Sequence, residues 1–119
     1  SVGGNFNCTY CNLLTTLEGA PGVVGGDFIC DFCDSLKTLE GAPKEVGEFG
    51  CSHCNSLTSL KGAPKEVRNR FYCNDCNSLT SLKGAPEKVG GSFDCRDCKT
   101  QFTEDDVRKV SEVGKTIKC

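Results

Sequence analysis

The sequence predicts a repeat solenoid, with one short parallel strand in each rung of 21–22 residues and a short helix capping the C-terminal end. Three observations carry that prediction. The first cysteines of five similar units stand at Cys8, Cys30, Cys51, Cys73 and Cys95, at periods of 22, 21, 22 and 22 residues. Each unit holds Phe-x-Cys-x-x-Cys, and the first four continue with Leu-x-x-Leu-x-Gly-Ala-Pro and a Val three residues on. The fifth abandons this pattern after Cys98. A fixed period in this range marks units that bury their apolar faces only by stacking on neighbours.

Each element has a local reason. In Asp27-Phe28-Ile29-Cys30-Asp31 the Phe and the Cys fall two apart, so a strand puts both on one face. Gly-Gly at 3–4, 25–26 and 90–91 marks the bend into the strand. After the second Cys, Leu36 and Leu39 begin a return segment, as do Leu14/Leu17, Leu57/Leu60 and Leu79/Leu82. Gly-Ala-Pro rules out a long helix there, because Pro21, Pro43, Pro64 and Pro86 hold the preceding Ala extended. The back of each rung is expected to be 3₁₀ or extended. In the fifth unit, Thr103 followed by Asp106 has the pattern of a capping box, with acids first and Arg108-Lys109 later. A helix over 104–112 and a last strand over 115–119 are expected. The chain thus divides into a five-rung solenoid (1–101) and a cap (102–119).

Composition narrows the function classes. Fourteen basic and sixteen acidic residues are interspersed, for a net charge of −2, so neither a nucleic-acid nor a membrane partner is expected. No apolar run reaches the roughly 18 residues of a membrane span. The chain lacks Met and begins within a unit, as a piece of a longer repeat protein would.

The segment Phe49-x-Cys51-x-x-Cys54-x-x-Leu57, preceded by Val46, resembles the strand segment of a leucine-rich repeat. Phe49 and Cys51 take inward strand positions, Cys54 the Asn/Cys position and Leu57 the next inward one. The Gly-Ala-Pro back segment is similar to short repeats of bacterial and phage proteins. The resemblance covers most of residues 2–101 and implies a binding role for the exposed strand face. Two departures bear on curvature. Cys replaces Leu in the strand, and the Val lies four residues before the Phe in every unit except 46–49.

Eleven cysteines admit three readings. Ten stand at two fixed positions of the repeat, which favours inward thiols and a reducing, cytoplasmic location, without a cofactor. The pairs Cys8/Cys11, Cys30/Cys33, Cys51/Cys54, Cys73/Cys76 and Cys95/Cys98 also have the spacing of zinc or iron–sulfur ligands, the basis of an alternative metal or redox function. Disulfides are the third reading. His53 is the sole histidine, and no motif supplies it with an acid or a nucleophile, so no enzyme is expected.

The remaining candidates are residues that vary on the repeated frame. Asn5/Asp27/Glu48/Arg70/Ser92, Asn7/Ile29/Gly50/Tyr72/Asp94 and Thr9/Asp31/Ser52/Asn74/Arg96 are expected on the open sheet face, with Tyr10/Phe32/His53/Asp75/Asp97 at the turn. Ile29, Tyr72, Tyr10, Phe32 and His53 would form an apolar patch beside Arg70 and Arg96. A non-enzymatic module that binds a protein through this face is the leading reading, and a purely structural segment is a further alternative.

Overall fold

The computed structural model describes residues 3–119. In chain order the elements are β1 (Phe6–Asn7), β2 (Phe28–Ile29), β3 (Glu45–Val46), β4 (Phe49–Gly50), β5 (Glu66–Val67), β6 (Phe71–Tyr72), β7 (Lys88–Val89), β8 (Phe93–Asp94), α1 (Glu104–Arg108), β9 (Glu112–Val113) and β10 (Ile117–Lys118). They stack as a parallel β-solenoid. One sheet runs β1-β2-β4-β6-β8-β10 and pairs Phe with Phe from rung to rung, until Ile117 takes the last place.

A second sheet, β3-β5-β7-β9, occupies the back of the stack. One strand per rung is expected from the Phe/Cys alternation; from the third rung onward there are two. Proline holds the chain extended, the following Val is buried, and the backbone then meets its equivalent one rung away. Arg68 N–H donates to Val46 O at 3.0 Å and Gly90 N–H to Val67 O at 2.9 Å. Among the described residues no back segment is 3₁₀. Each instead turns at its Gly: Ala42 N–H donates to Leu39 O at 3.1 Å while Gly41 has a φ of +100°. That combination belongs to a type II turn, which demands a positive φ at its third residue.

The CxxC turn is less usual. Tyr10, Phe32, His53, Asp75 and Asp97 all hold left-handed φ angles of 57–66°. Non-glycine residues reach that region at a cost of about 1–2 kcal/mol. Ladder hydrogen bonds offset it: Phe32 N–H donates to Ser52 O at 2.8 Å and His53 N–H to Asn74 O at 2.9 Å. The reversal lets both cysteines of a pair face the interior.

That interior is a set of ladders. Rings of Phe6, Phe28, Phe49, Phe71 and Phe93 succeed one another with centroids 4.9, 5.4, 5.7 and 5.0 Å apart. Buried Cys, Leu and Val columns complete the core. At the far end Thr103 and Asp106 form the expected capping box, with hydrogen bonds of 3.2 and 2.8 Å, and Val107 is buried against the stack. The helix stops at Arg108, short of 112, because Glu112 N–H pairs with Glu87 O at 2.9 Å and draws the chain into β9. Among the described residues no helix is long and apolar enough to cross a membrane.

Candidate binding face on the strand side

Alternation along β6 sends Phe71 inward and its neighbours Arg70 and Tyr72 outward. Tyr72 does not stand up from the sheet. Its ring lies over Gly50, its register partner on β4, where any side chain would collide with it. The Tyr72 hydroxyl donates to Asp31 Oδ2 at 3.2 Å, two rungs from its own. The Arg70 guanidinium carbon sits 4.3 Å from the ring centroid, within cation–π range.

Arg70 is held on both sides as well, 3.5 Å from Glu48 and 3.4 Å from Asp94. Asp94 is fully buried, which corrects the expectation that its column lies open. Arg96 covers it with hydrogen bonds of 3.0 and 2.8 Å, and the Asn74 amide, oriented by its partners, donates at 2.7 Å. Burial works against the Asp94 charge, but the Arg96 hydrogen bonds outweigh it and hold the carboxyl below its usual range. Asp31 goes the other way. Burial pushes it up, opposed by donors from Ser52 N–H (2.8 Å) and Tyr72. Ser52 and Gly50 are also buried, so the face is less open than strand alternation implies.

The seven candidates therefore separate into two groups. Arg70, Tyr72 and Arg96 are joined by Asp31, Glu48, Asn74 and Asp94 into a charged network, and half-buried Ile29 pairs with Gly50 beside it. Tyr10, Phe32 and His53 form a stack at the turn, with centroids 4.7 and 4.3 Å apart. His53 Nε2 lies 3.3 Å from Asp75 Oδ2, an acid that no sequence motif supplied. The centre of the face is polar, not apolar. The signal for this was Gly50, the one glycine in its column, which leaves room for a ring from the next rung.

The cysteines have a repeated pattern of their own. In each rung after the first, the second Cys donates its thiol to the carbonyl of the first Cys one rung back. The distances are 3.2 Å for Cys33 to Cys8, 3.2 Å for Cys54 to Cys30, 3.1 Å for Cys76 to Cys51 and 3.3 Å for Cys98 to Cys73. Burial pushes Cys33 and Cys95 up to about 12, so both remain protonated donors near neutral pH. Among the described residues no three His, Cys, Asp or Glu side chains are arranged to hold a metal ion.

No protein family, curated protein or solved structure matches the chain.

Proposed function

We propose that the chain is a non-enzymatic protein-binding module that engages its partner through the strand face centred on Arg70 and Tyr72. One observation carries this reading. The Tyr72 ring is laid across Gly50, tied at its hydroxyl to Asp31 and covered by Arg70, so a Tyr–Arg pair is held in place before any partner arrives. Tyr and Arg are the side chains that most often concentrate interface energy. Fixing them in advance removes ordering entropy that binding would otherwise cost, about 0.5–1.5 kcal/mol for each mobile side chain. The resemblance of the units to leucine-rich repeats supports the same face, since such solenoids bind on an extended surface. A reducing compartment suits the many free thiols.

Capture from an extract of the source cells tests the reading. The bait is compared with Arg70→Ala/Tyr72→Ala and with a back-edge control, Lys44→Ala/Lys65→Ala. A partner retained by the control and lost by the strand-face variant supports the proposal. A partner lost by the control and kept by the strand-face variant overturns it.

A further inference from the structure

The first CxxC pair differs from the others in three ways. Cys11 is exposed and Cys8 half-buried, whereas the pairs at 30/33, 51/54 and 73/76 are completely buried. Cys11 N–H donates to Cys8 O at 3.2 Å and closes a β-turn. Such a turn holds its end Cα atoms within about 7 Å, overlapping the span a disulfide bridges. Third, the two residues line an apolar hollow of about 250 Å³ with Phe6, Leu14, Leu17 and Glu18, so a small reagent can reach the sulfurs.

We propose that Cys8 and Cys11 form a thiol–disulfide exchange site that reacts with low-molecular-weight disulfides while the interior pairs do not. The Cys8 thiolate attacks one sulfur of a disulfide RSSR. A Cys8–SR bond forms, the S–S bond of the reagent breaks, and RS⁻ leaves and takes up a proton. Cys11 then gives up its proton and attacks the Cys8 sulfur. A Cys8–Cys11 bond forms as the second RS⁻ leaves and is protonated. The protein loses two electrons and two protons, and RSSR becomes two RSH. Hydrogen bonding from the Cys30 thiol, with help from Cys33 and Cys11, holds Cys8 down at about 7 against the effect of burial. That favours Cys8 as the attacking sulfur. The interior thiols lack both the access and the thiolate character.

The test uses the full chain in a Cys119→Ser background, which removes the other exposed thiol. Native protein is treated with bis(2-hydroxyethyl) disulfide and quenched with acid. Remaining thiols are alkylated in denaturant before cleavage after glutamate. Glu18 then separates Cys8 and Cys11 from Cys30 and Cys33. The peptide 1–18 is expected to lose two hydrogens and take no alkyl group, at least about tenfold faster than any interior peptide changes. Cys11→Ser should instead trap one hydroxyethylthio group on Cys8. Alkylation of both cysteines in peptide 1–18, an unmodified Cys8 in the Cys11→Ser chain, or equal modification of the interior pairs would overturn the proposal.

Discussion

Arg68 donates its Nη2 to the carbonyl of Gly25 at 2.7 Å, across 43 positions of sequence. Gly25 and Arg68 occupy equivalent places in the second and fourth units, after Val24 and Val67. The third unit, one residue shorter, has nothing between Val46 and Gly47. The guanidinium reaches over that gap and is steadied by Glu45 Oε1 at 2.7 Å. A shortened rung is accommodated by a side chain, not by a shift of register. The Lys44/Glu45 edge, expected from sequence to be merely solvated, therefore has a structural part at Glu45.

Arg68→Ala is expected to lower stability by about 0.5–1 kcal/mol, the usual value of one exposed, charge-assisted contact. Inserting a glycine between Val46 and Gly47 should recover most of that loss in the Arg68→Ala chain, because backbone then fills the gap. Urea unfolding of the two chains checks both parts. An insertion that further destabilises Arg68→Ala would refute the account of the gap.

Two glycines should respond differently to alanine. At Gly62, with φ +91°, a Cβ meets the backbone of Glu40 and Leu39, which cannot move aside. At Gly50 it meets only the Tyr72 ring. Gly62→Ala should cost at least about 2 kcal/mol, combining left-handed strain with the clash. Gly50→Ala should cost under about 1 kcal/mol and free Tyr72 from Asp31. Thermal unfolding gives the first comparison, and the near-ultraviolet signal of Tyr72 reports the second.

Serine replacement distinguishes the two cysteine positions. Cys54 lies 3.2 Å from its carbonyl acceptor, whereas Cys51 lies 3.6 Å from Tyr72 O. A hydroxyl sits closer to the Cβ than a thiol does, so it keeps the first bond and loses the second. Cys51→Ser should cost about 1–3 kcal/mol for a buried hydroxyl without a partner. Cys54→Ser should cost less, about 1 kcal/mol or below. Equal costs in urea unfolding would count against the thiol ladder.

The Asp94 clamp predicts a pH signature. Its folded pKa is lowered, so its stabilisation is complete above the ordinary carboxylate value of about 4 and is lost as pH falls through the lower folded value. Asp94→Asn should cost about 1–3 kcal/mol at pH 7, with the deficit shrinking below about pH 4. Asp31, raised by burial, contributes with the opposite sign. It is present in both chains, so the difference between them isolates Asp94. A deficit independent of pH would mean that the clamp is not ionic.

The stack itself was legible because repetition multiplies a weak signal: Phe28-Ile29-Cys30 alone says little, but five copies in register fix an inward face. The cap was legible because Thr103 and Asp106 interact locally. The second sheet was not. Glu45–Val46 and its copies are two residues long and show no alternation. The left-handed turns were hidden as well, since Tyr10, Phe32 and His53 are not residues that ordinarily advertise a positive φ. On the strand face, alternation gave the direction of each side chain but not what lies over it. Asp94 points outward and is buried all the same, because Arg70, Asn74 and Arg96 close above it from neighbouring positions.

The central claim is that binding energy concentrates on Arg70 and Tyr72. Its most direct test is calorimetric titration of a captured partner against three chains: wild type, Arg70→Ala/Tyr72→Ala and Lys44→Ala/Lys65→Ala. The account predicts that the strand-face variant, while still folded, loses at least about 2 kcal/mol, roughly thirtyfold in Kd, and that the back-edge variant stays within about 1 kcal/mol of wild type. Wild-type affinity in the strand-face variant, together with a large loss in the back-edge variant, would contradict it.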